Sequence, residues 1–330
     1  MYYLYHESGS QLFCDNETNS QRIFHRPNES AFVKDGINNH VVNGLDTVNP
    51  AKLGTKSAVW LTAEIAPGGS KVFRVRLSKG TLTDPWTDFE STMANRRAET
   101  DTFYDTLTPA GLSPAHKALL RAAMGGLLWT KQFYYLDIYK WLNGEPNETP
   151  PLRHFKRNAA WQHLTARNII SMPDKWEYPW FAAWDLAFHA ATFVHVDPHF
   201  AKQQLQVVLR EYYMHPNGQI PAYEWSFSDV NPPVHAWGVW YVFEADKKKT
   251  GVPDLDFLER AFQKLLMNFT WWVNQKDENG TDIFEGGFLG LDNIGVFDRN
   301  HMPPGIKKLQ QADATSWMAM YAINMLRISL

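Results

Sequence analysis

The sequence predicts a mainly α protein in which antiparallel helix pairs close into an (α/α) toroid behind a β-rich N-terminal segment. Two observations predict it. Apolar residues recur with a period of two over roughly the first 80 positions and with the helical period from about residue 86 onward. The connections between the later helices alternate between short and long.

In the first segment Val59, Leu61 and Ala63 alternate with Trp60, Thr62 and Glu64. Pro67-Gly68-Gly69 then turns the chain, and Phe73, Val75 and Leu77 alternate with Arg74 and Arg76. This predicts a hairpin with one wet face. Residues 16–50, rich in Asn, Gly and Pro, read as loop joining short strands. Roughly seven helices are expected from residue 86 onward. Leu120, Met124, Leu127 and Leu128 mark one, and Leu205, Val208, Leu209 and Tyr212 another, with Asp197 as N-cap and Pro198 at its first position. A third starts at Pro232-Pro233 and ends in Lys247, Lys248 and Lys249 before Gly251, placing positive charge and then glycine where a helix end favours them. A fourth carries Leu258, Phe262, Leu265 and Phe269.

Residues 107–113, 196–198 and 250–254 are tight turns, whereas 143–183, 214–232 and 277–312 are long and loaded with Pro, Gly, aromatic and charged side chains. Every second connection of a chain of helix pairs lies at the same end, so the long loops gather on one face. Loops of that length in a compact domain are usually functional. The domains expected are a partial β segment at 1–85 and a helical domain at 86–330. The pattern breaks off inside an apolar helical run, so the toroid reads as incomplete at its C-terminus.

The 330 residues suggest about two domains at roughly 150 residues each. With 32 basic and 35 acidic side chains, a net charge of −3, and no dense basic stripe, nucleic acid is not the expected partner. No apolar run approaches the roughly 18 residues of a membrane helix, and the start lacks the pattern of a signal peptide. The single cysteine, Cys14, rules out an internal disulfide, which makes the cytoplasm the default compartment. The 14 Trp, 13 Tyr and 20 Phe exceed what a core requires, and many fall in the loops.

The densest cluster of chemistry-bearing side chains runs Asp174-Lys175-Trp176-Glu177-Tyr178-Pro179-Trp180 and then Trp184-Asp185-Leu186-Ala187-Phe188-His189. Pro173 and Pro179 are expected to hold the loop extended, with a helix starting near Trp184. Asp185 then sits in a first helical turn, where a carboxylate commonly satisfies backbone N–H groups. Flanking indoles also make a water-poor pocket, which raises a carboxyl pKa and makes a general acid. A second long loop carries His215, Tyr223, Glu224, Trp225, Asp229 and then His235; a third carries Glu285, Gly286-Gly287-Phe288-Leu289-Gly290, Asp292, Asn293 and Asp298. Acids alternating with aromatic faces fit a neutral polyhydroxylated ligand, with a sugar the obvious candidate. The bland alternative is that Trp225 and Phe288 plug the end of the toroid while the acids cap helices.

Four other signals are discounted. His195-Val196-Asp197-Pro198-His199 falls in a short turn on the back face, which disfavours zinc. Asp292, Asn293 and Asp298 lack EF-hand spacing, although oxygen ligands of this kind suit calcium. Gly286 to Gly290 follows no strand, so a dinucleotide site is weak. Lys247 to Lys249 is most simply a solvated helix end. No cofactor and no metal is called for.

The run Ser171 to Trp180, then Trp184-Asp185 with Phe188-His189, resembles glycoside hydrolase family 63 and its bacterial glucosidase-like and mannosylglycerate hydrolase-like relatives, which are six-hairpin glycosidases. Met214-His215-Pro216-Asn217-Gly218-Gln219, Asn231-Pro232-Pro233-Val234-His235-Ala236-Trp237 and Glu285 to Asn293 extend the resemblance over most of the chain. The resemblance implies an (α/α)6 barrel preceded by a β-sandwich, and hydrolysis of an α-glycosidic bond with inversion. It implies that Asp185 is the general acid. The base it implies is a Glu in later helices, which matches no residue here. Inversion needs two carboxyl groups about 6.5–9.5 Å apart. Trp176, Glu177, Tyr178, Trp180, Trp184, His189, Tyr223, Glu224, Trp225, His235, Glu285 and Asp292 are the expected saccharide contacts, with Glu224 the nearest stand-in for a base. Two rivals stay open: a non-catalytic carbohydrate-binding toroid, and a polysaccharide lyase that abstracts a proton through His215 or Tyr223.

Overall fold

The computed structural model describes residues 1–144, 161–223, 231–274, 284, 303–305 and 313–330. The chain divides into two compact units, Met1–Thr102 and Phe103–Leu330. Among the described residues the protein is mainly helical, with ten helices and three two-stranded ribbons.

The first unit holds β1 (Tyr2–His6), β2 (Ser10–Cys14), α1 (Ser20–Phe24), α2 (Gly36–Asn43), β3 (Lys56–Trp60) and β4 (Val75–Lys79), and α3 (Phe89–Leu107) begins in it. The expected hairpin is not formed. Instead β1 pairs antiparallel with β4, Tyr2 opposite Lys79, and β2 with β3, Ser10 opposite Trp60. Alternation names the face a strand buries and not its partner, and the N-terminal strands take both edges. Residues 16–50 are likewise more than loop, because α1 and α2 lie within them. Asn19 makes α1 possible: its Oδ1 accepts the Arg22 N–H at 3.1 Å while its Nδ2 donates to Asp35.

The second unit continues with α4 (Pro114–Trp129), β5 (Lys131–Asp137), α5 (Ile138–Asn143), β6 (Thr165–Ser171), α6 (Ala183–Phe193), α7 (Pro198–Val207), α8 (His235–Thr250), α9 (Leu255–Val273) and α10 (Asp313–Ser329). The stretch 143–183 is therefore not all loop. Thr165–Ser171 pairs with Lys131–Asp137 in full register, Lys131 opposite Ser171, burying Tyr134, Ala166 and Ile170 on one face. Helix α7 stops at Val207, short of Tyr212, whose carbonyl accepts the Thr165 N–H at 3.2 Å. Helix α8 starts at His235, after Pro232-Pro233, since a residue before proline avoids the helical region.

Helices α6, α8 and α10 lie side by side, with α7 and α9 packed across them. The reason is visible in each stripe. Phe257, Leu258, Ala261, Leu265, Asn268 and Trp272 line one buried face of α9 at helical spacing. Leu186, Leu205 and Leu265 are fully buried, each such side chain contributing about 1.5–3 kcal/mol. Gly238 on α8 lets α6 come close: a Cβ there would lie 3.2 Å from Leu205 and 3.3 Å from Ala187.

The short turns are built as expected. Asp197 Oδ1 accepts the Phe200 N–H and Asp254 Oδ1 the Phe257 N–H, both at 3.0 Å. Gly251 follows α8 with φ 76°, its N–H bonded to Lys247 O. Lys202 spans two carboxylates here, Asp246 at 2.5 Å and Asp254 at 2.6 Å, and Lys131 meets Asp197 at 2.8 Å while lying over the Phe200 ring.

At the other end of these helices the loop after α7 docks on α9. Asn268 Nδ2 donates to Gly218 O at 2.8 Å, and Tyr321 of α10 donates to Asn268 Oδ1 at 3.0 Å. Gly218 has φ 96°, and a Cβ there would sit 2.3 Å from Met267 O. His235 is buried at 6% exposure, its Nε2–H donating to Leu205 O at 2.7 Å, and burial lowers its pKa to about 4.

Two outcomes follow for stability. Gly218→Ala should lower the melting temperature by an amount corresponding to more than about 2 kcal/mol, since both the backbone conformation and the carbonyl of Met267 oppose a methyl; thermal unfolding by circular dichroism checks this. Between pH 6.5 and about 4 the unfolded chain takes up a proton at His235 that the folded chain refuses. Stability should therefore fall with acidification across that window, by on the order of 3 kcal/mol in full. Denaturant titrations at several pH values should show a shallower slope in His235→Asn, which does not titrate.

Candidate active site

Helix α6 begins without a capping side chain: its N-cap is Ala182. The segment after the docked loop supplies what is missing. Ala222 O accepts the Ala183 N–H at 2.9 Å, Tyr223 forms an antiparallel bridge with Ala182, and Asn231 Nδ2 donates to the same Ala222 carbonyl at 2.7 Å. An N-terminal N–H of a helix needs such an acceptor, and here it comes from a different loop. The start of α6 is thereby fixed by Ala222, Tyr223 and Asn231.

Asp185 lies in this first turn, half-buried, and no described residue donates a hydrogen bond to its carboxyl beyond its own backbone N–H. Burial raises its pKa; the His189 charge one helical turn on, and that N–H, act in the opposite direction and lose. The first turn of a helix normally favours the carboxylate. A net upward displacement at such a position means that desolvation dominates. The indoles flanking Asp185 in the sequence predict a shift in this direction. Trp184 is half-buried and packs edge-on against Phe188 at 5.7 Å, with His189 completing the neighbourhood.

His189 is itself held below the usual histidine range by burial. Its Nδ1 lies 2.6 Å from Ser171 Oγ, and that hydroxyl lies 2.7 Å from Thr130 Oγ1, which donates to Leu127 O at 2.6 Å. Gln204, 2% exposed on α7, clamps the end of β6: its Oε1 accepts the Ser171 N–H and its Nε2 donates to Ile169 O.

The loop 172–182 is bent, not extended. Asp174 Oδ1 accepts the N–H groups of both Trp176 and Glu177 at 2.6 Å, and these bonds hold the Asp174 carboxyl below its ordinary range. Trp176 stands 85% exposed, Glu177 and Tyr178 are exposed, and Lys175 lies over the Trp129 ring at 4.8 Å. Trp180 is half-buried, edge-on to Tyr178 at 5.4 Å and packed on the core.

A narrow cleft of about 30 Å³, lined by Trp184, Pro221, Asn231, His235, Asn268 and Trp271 among others, joins the starts of α6 and α8 to the end of α9. That is room for a water and not for a sugar ring. His235 forms part of its wall with its polar nitrogen committed to Leu205. His215 sits on the docked loop against the Trp161 ring at 4.8 Å, its Nδ1 accepting from Asn217 N. Glu224, Trp225, Asp229, Glu285, Gly286 to Gly290, Asp292, Asn293 and Asp298 lie outside the described residues. His195 is at the opposite end, 3.3 Å from Tyr241 OH, and Asp197 there is occupied as a helix cap. The structure thus brings together Trp184, Asp185, His189 and Tyr223, and leaves Trp176, Glu177 and Tyr178 toward solvent.

Sequence reasoning gave no role to Ser171, Thr130, Gln204, Asn231 or Asn268. Ser171 and Asn231 stand inside the runs that carry the family resemblance, a usable signal. The others are distant polar residues in helical or strand patterns with nothing local to mark them.

Residues 178–293 match the family described as the mannosylglycerate hydrolase MGH1-like glycoside hydrolase domain. The uncharacterized protein YMR196W of Saccharomyces cerevisiae is 48% identical over 335 residues, an alignment covering 97% of this chain and 31% of that protein. The chain spans about a third of the length of the curated relative it matches. A solved structure, an uncharacterized conserved protein from Thermus thermophilus, is 25% identical over 33% of this chain and 31% of its own, with a TM-score of 0.29, too slight a likeness to compare folds by. Among the described residues no helix is long and apolar enough to cross a membrane. The match supports a family-63-like, six-hairpin glycosidase assignment for the segment 178–293.

Proposed function

We propose that the chain carries the acid half of an inverting α-glycosidase site, with Asp185 as the general acid and an α-glucoside or similar small oligosaccharide as substrate. In this reading α6 to α10 belong to an (α/α)6 barrel and the N-terminal ribbons to a β-sandwich-like domain. The observation that carries it is the state of Asp185: a half-buried carboxyl without a side-chain donor among the described residues, pushed toward its protonated form, within the segment that matches a glycoside hydrolase domain.

The chemistry follows from that state. Cleavage of a glycosidic bond leaves an alkoxide unless the leaving oxygen is protonated as the bond breaks. A carboxyl that burial makes hold its proton more tightly than an ordinary aspartate supplies it. In an inverting site a second carboxylate activates water on the opposite face of the sugar; we assign that role to no residue of this chain. Trp176, Tyr178 and Trp180 offer aromatic faces and Glu177 a carboxylate at the loop leading into α6, which suits a saccharide with apolar ring faces and hydroxyl edges. Glu224, Trp225, Glu285 and Asp292 are proposed as further hydroxyl and ring contacts.

In the complete protein, Asp185→Asn should lower kcat/KM for an alkyl or disaccharide α-glucoside by about 10²–10⁴-fold, and far less for an α-glucosyl fluoride, whose leaving group needs no proton. Proton NMR of the first product should show the β-anomer. Equal losses on both substrates, or retention of most of the rate, would refute the acid assignment. Since the acid must be protonated, the wild-type rate should fall as pH rises through a pKa lying above the ordinary aspartate range.

The same raised pKa has a structural side. A carboxyl that resists ionisation when folded contributes stability below its unfolded pKa and loses it as pH rises through the folded value. Asp185→Asn should therefore melt higher relative to wild type at pH 8 than at pH 4, which differential scanning fluorimetry can read.

A further inference from the structure

The hydroxyl chain behind His189 has only one consistent arrangement of protons. Thr130 has a single hydroxyl proton, and it goes to Leu127 O at 2.6 Å, a group that can only accept. In the 2.7 Å contact between Thr130 Oγ1 and Ser171 Oγ the serine must then be the donor. Ser171 has no second proton for His189, so at 2.6 Å the ring nitrogen Nδ1 donates and the serine oxygen accepts. Ser171 is 1% exposed and its backbone N–H is pinned by Gln204, so no rotation into solvent relieves the constraint. The neutral ring is therefore the Nδ1–H tautomer with a bare Nε2.

We propose that His189 is a positioning residue for Asp185, locked by the Leu127–Thr130–Ser171 chain into the tautomer whose Nε2 cannot donate to the Asp185 carboxylate. The two side chains are one turn apart on α6, where positions four apart share a face, and each acts on the other's charge. A ring with hydrogen on Nε2 would offer the carboxylate a donor, favour its ionised form and disarm the acid. A bare Nε2 offers only a lone pair, which a protonated carboxyl can meet and a carboxylate cannot. The charge acting on the ring is that of Asp185, and the hydrogen-bonding partner of the ring among the described residues is Ser171, through its hydroxyl and its backbone, so the tautomer is set from α4 and β6 and not from the cleft. This inference rests on the acid assignment of Asp185 for its purpose, but the lock itself does not.

The test reads the lock directly. Two-bond ¹⁵N–¹H spectra of the ¹⁵N-histidine-labelled chain, with His189 identified by its loss in His189→Gln, should show hydrogen on Nδ1 at pH 8. Thr130→Val keeps the volume and removes the acceptor, which frees the Ser171 proton to turn toward His189; the Nε2–H tautomer should then predominate. Thr130→Ser keeps the hydroxyl and should restore Nδ1–H. A wild-type ring with hydrogen on Nε2, or a Thr130→Val ring that stays Nδ1–H, overturns the proposal. The wild-type spectrum decides even where a variant does not fold. In the complete protein the alkaline limb of hydrolysis should move to lower pH by on the order of one unit in Thr130→Val and return in Thr130→Ser. An unmoved limb in an active enzyme whose tautomer has flipped overturns the link to Asp185, whereas normal turnover by Asp185→Asn removes the glycosidase reading and leaves the lock in place.

Discussion

The hydrogen bond from Ala183 N–H to Ala222 O is the constraint on which the site depends. Helix α6 brings no cap of its own, so its starting point is set by a loop that arrives about 40 positions later in the chain. That loop is in turn held by Gly218, which passes beneath Met267 O where no side chain fits, and by Asn268, which Tyr321 orients. Helices α9 and α10 therefore cooperate to fix the depth at which Asp185 sits on α6. Depth matters because the upward displacement of its pKa comes from burial, against two nearby influences that oppose it.

The position of Asp185 in a first helical turn was legible from Ala187, Phe188 and Ala191 after a proline-bounded aromatic loop, and so were the caps at Asp197 and Gly251. These are local signals, carried by residues within four positions of each other. The partners of β3 and β4 were not legible, because alternation in 59–77 is equally compatible with any free edge. The ribbon of β5 and β6 was hidden for a related reason. Gln132-Phe133-Tyr134-Tyr135-Leu136 has no clean apolar and polar alternation, since Phe133, Tyr135 and Ile169 face outward as Tyr134 and Ile170 face inward.

The site itself divides in the same way. Asp185, Trp184 and His189 announce themselves by type and spacing, whereas Thr130 and Ser171 lie 41 positions apart and meet only through the pairing of β5 with β6. His235 shows how residue type alone misleads. In sequence it closes a run of prolines in the manner of a ligand-binding residue, yet its Nε2 is spent on Leu205 O at the edge of the core. Burial, which sequence shows only indirectly, separates the two histidines.

The bridging of Asp246 and Asp254 by Lys202 has a bearing on how the helical unit responds to its surroundings. One end of the helices is fastened by full charges, with Lys131 and Asp197 adding a second pair; the other is fastened by amides, hydroxyls and carbonyls. Dissolved ions weaken attraction between charges far more than they weaken bonds between neutral groups. Concentrated electrolyte would thus act on the charged end of the bundle chiefly through the more exposed Asp254 and Asp197, since Lys202 and Asp246 are largely buried and little screened, while the neutral bonds around Asp185 are left as they are.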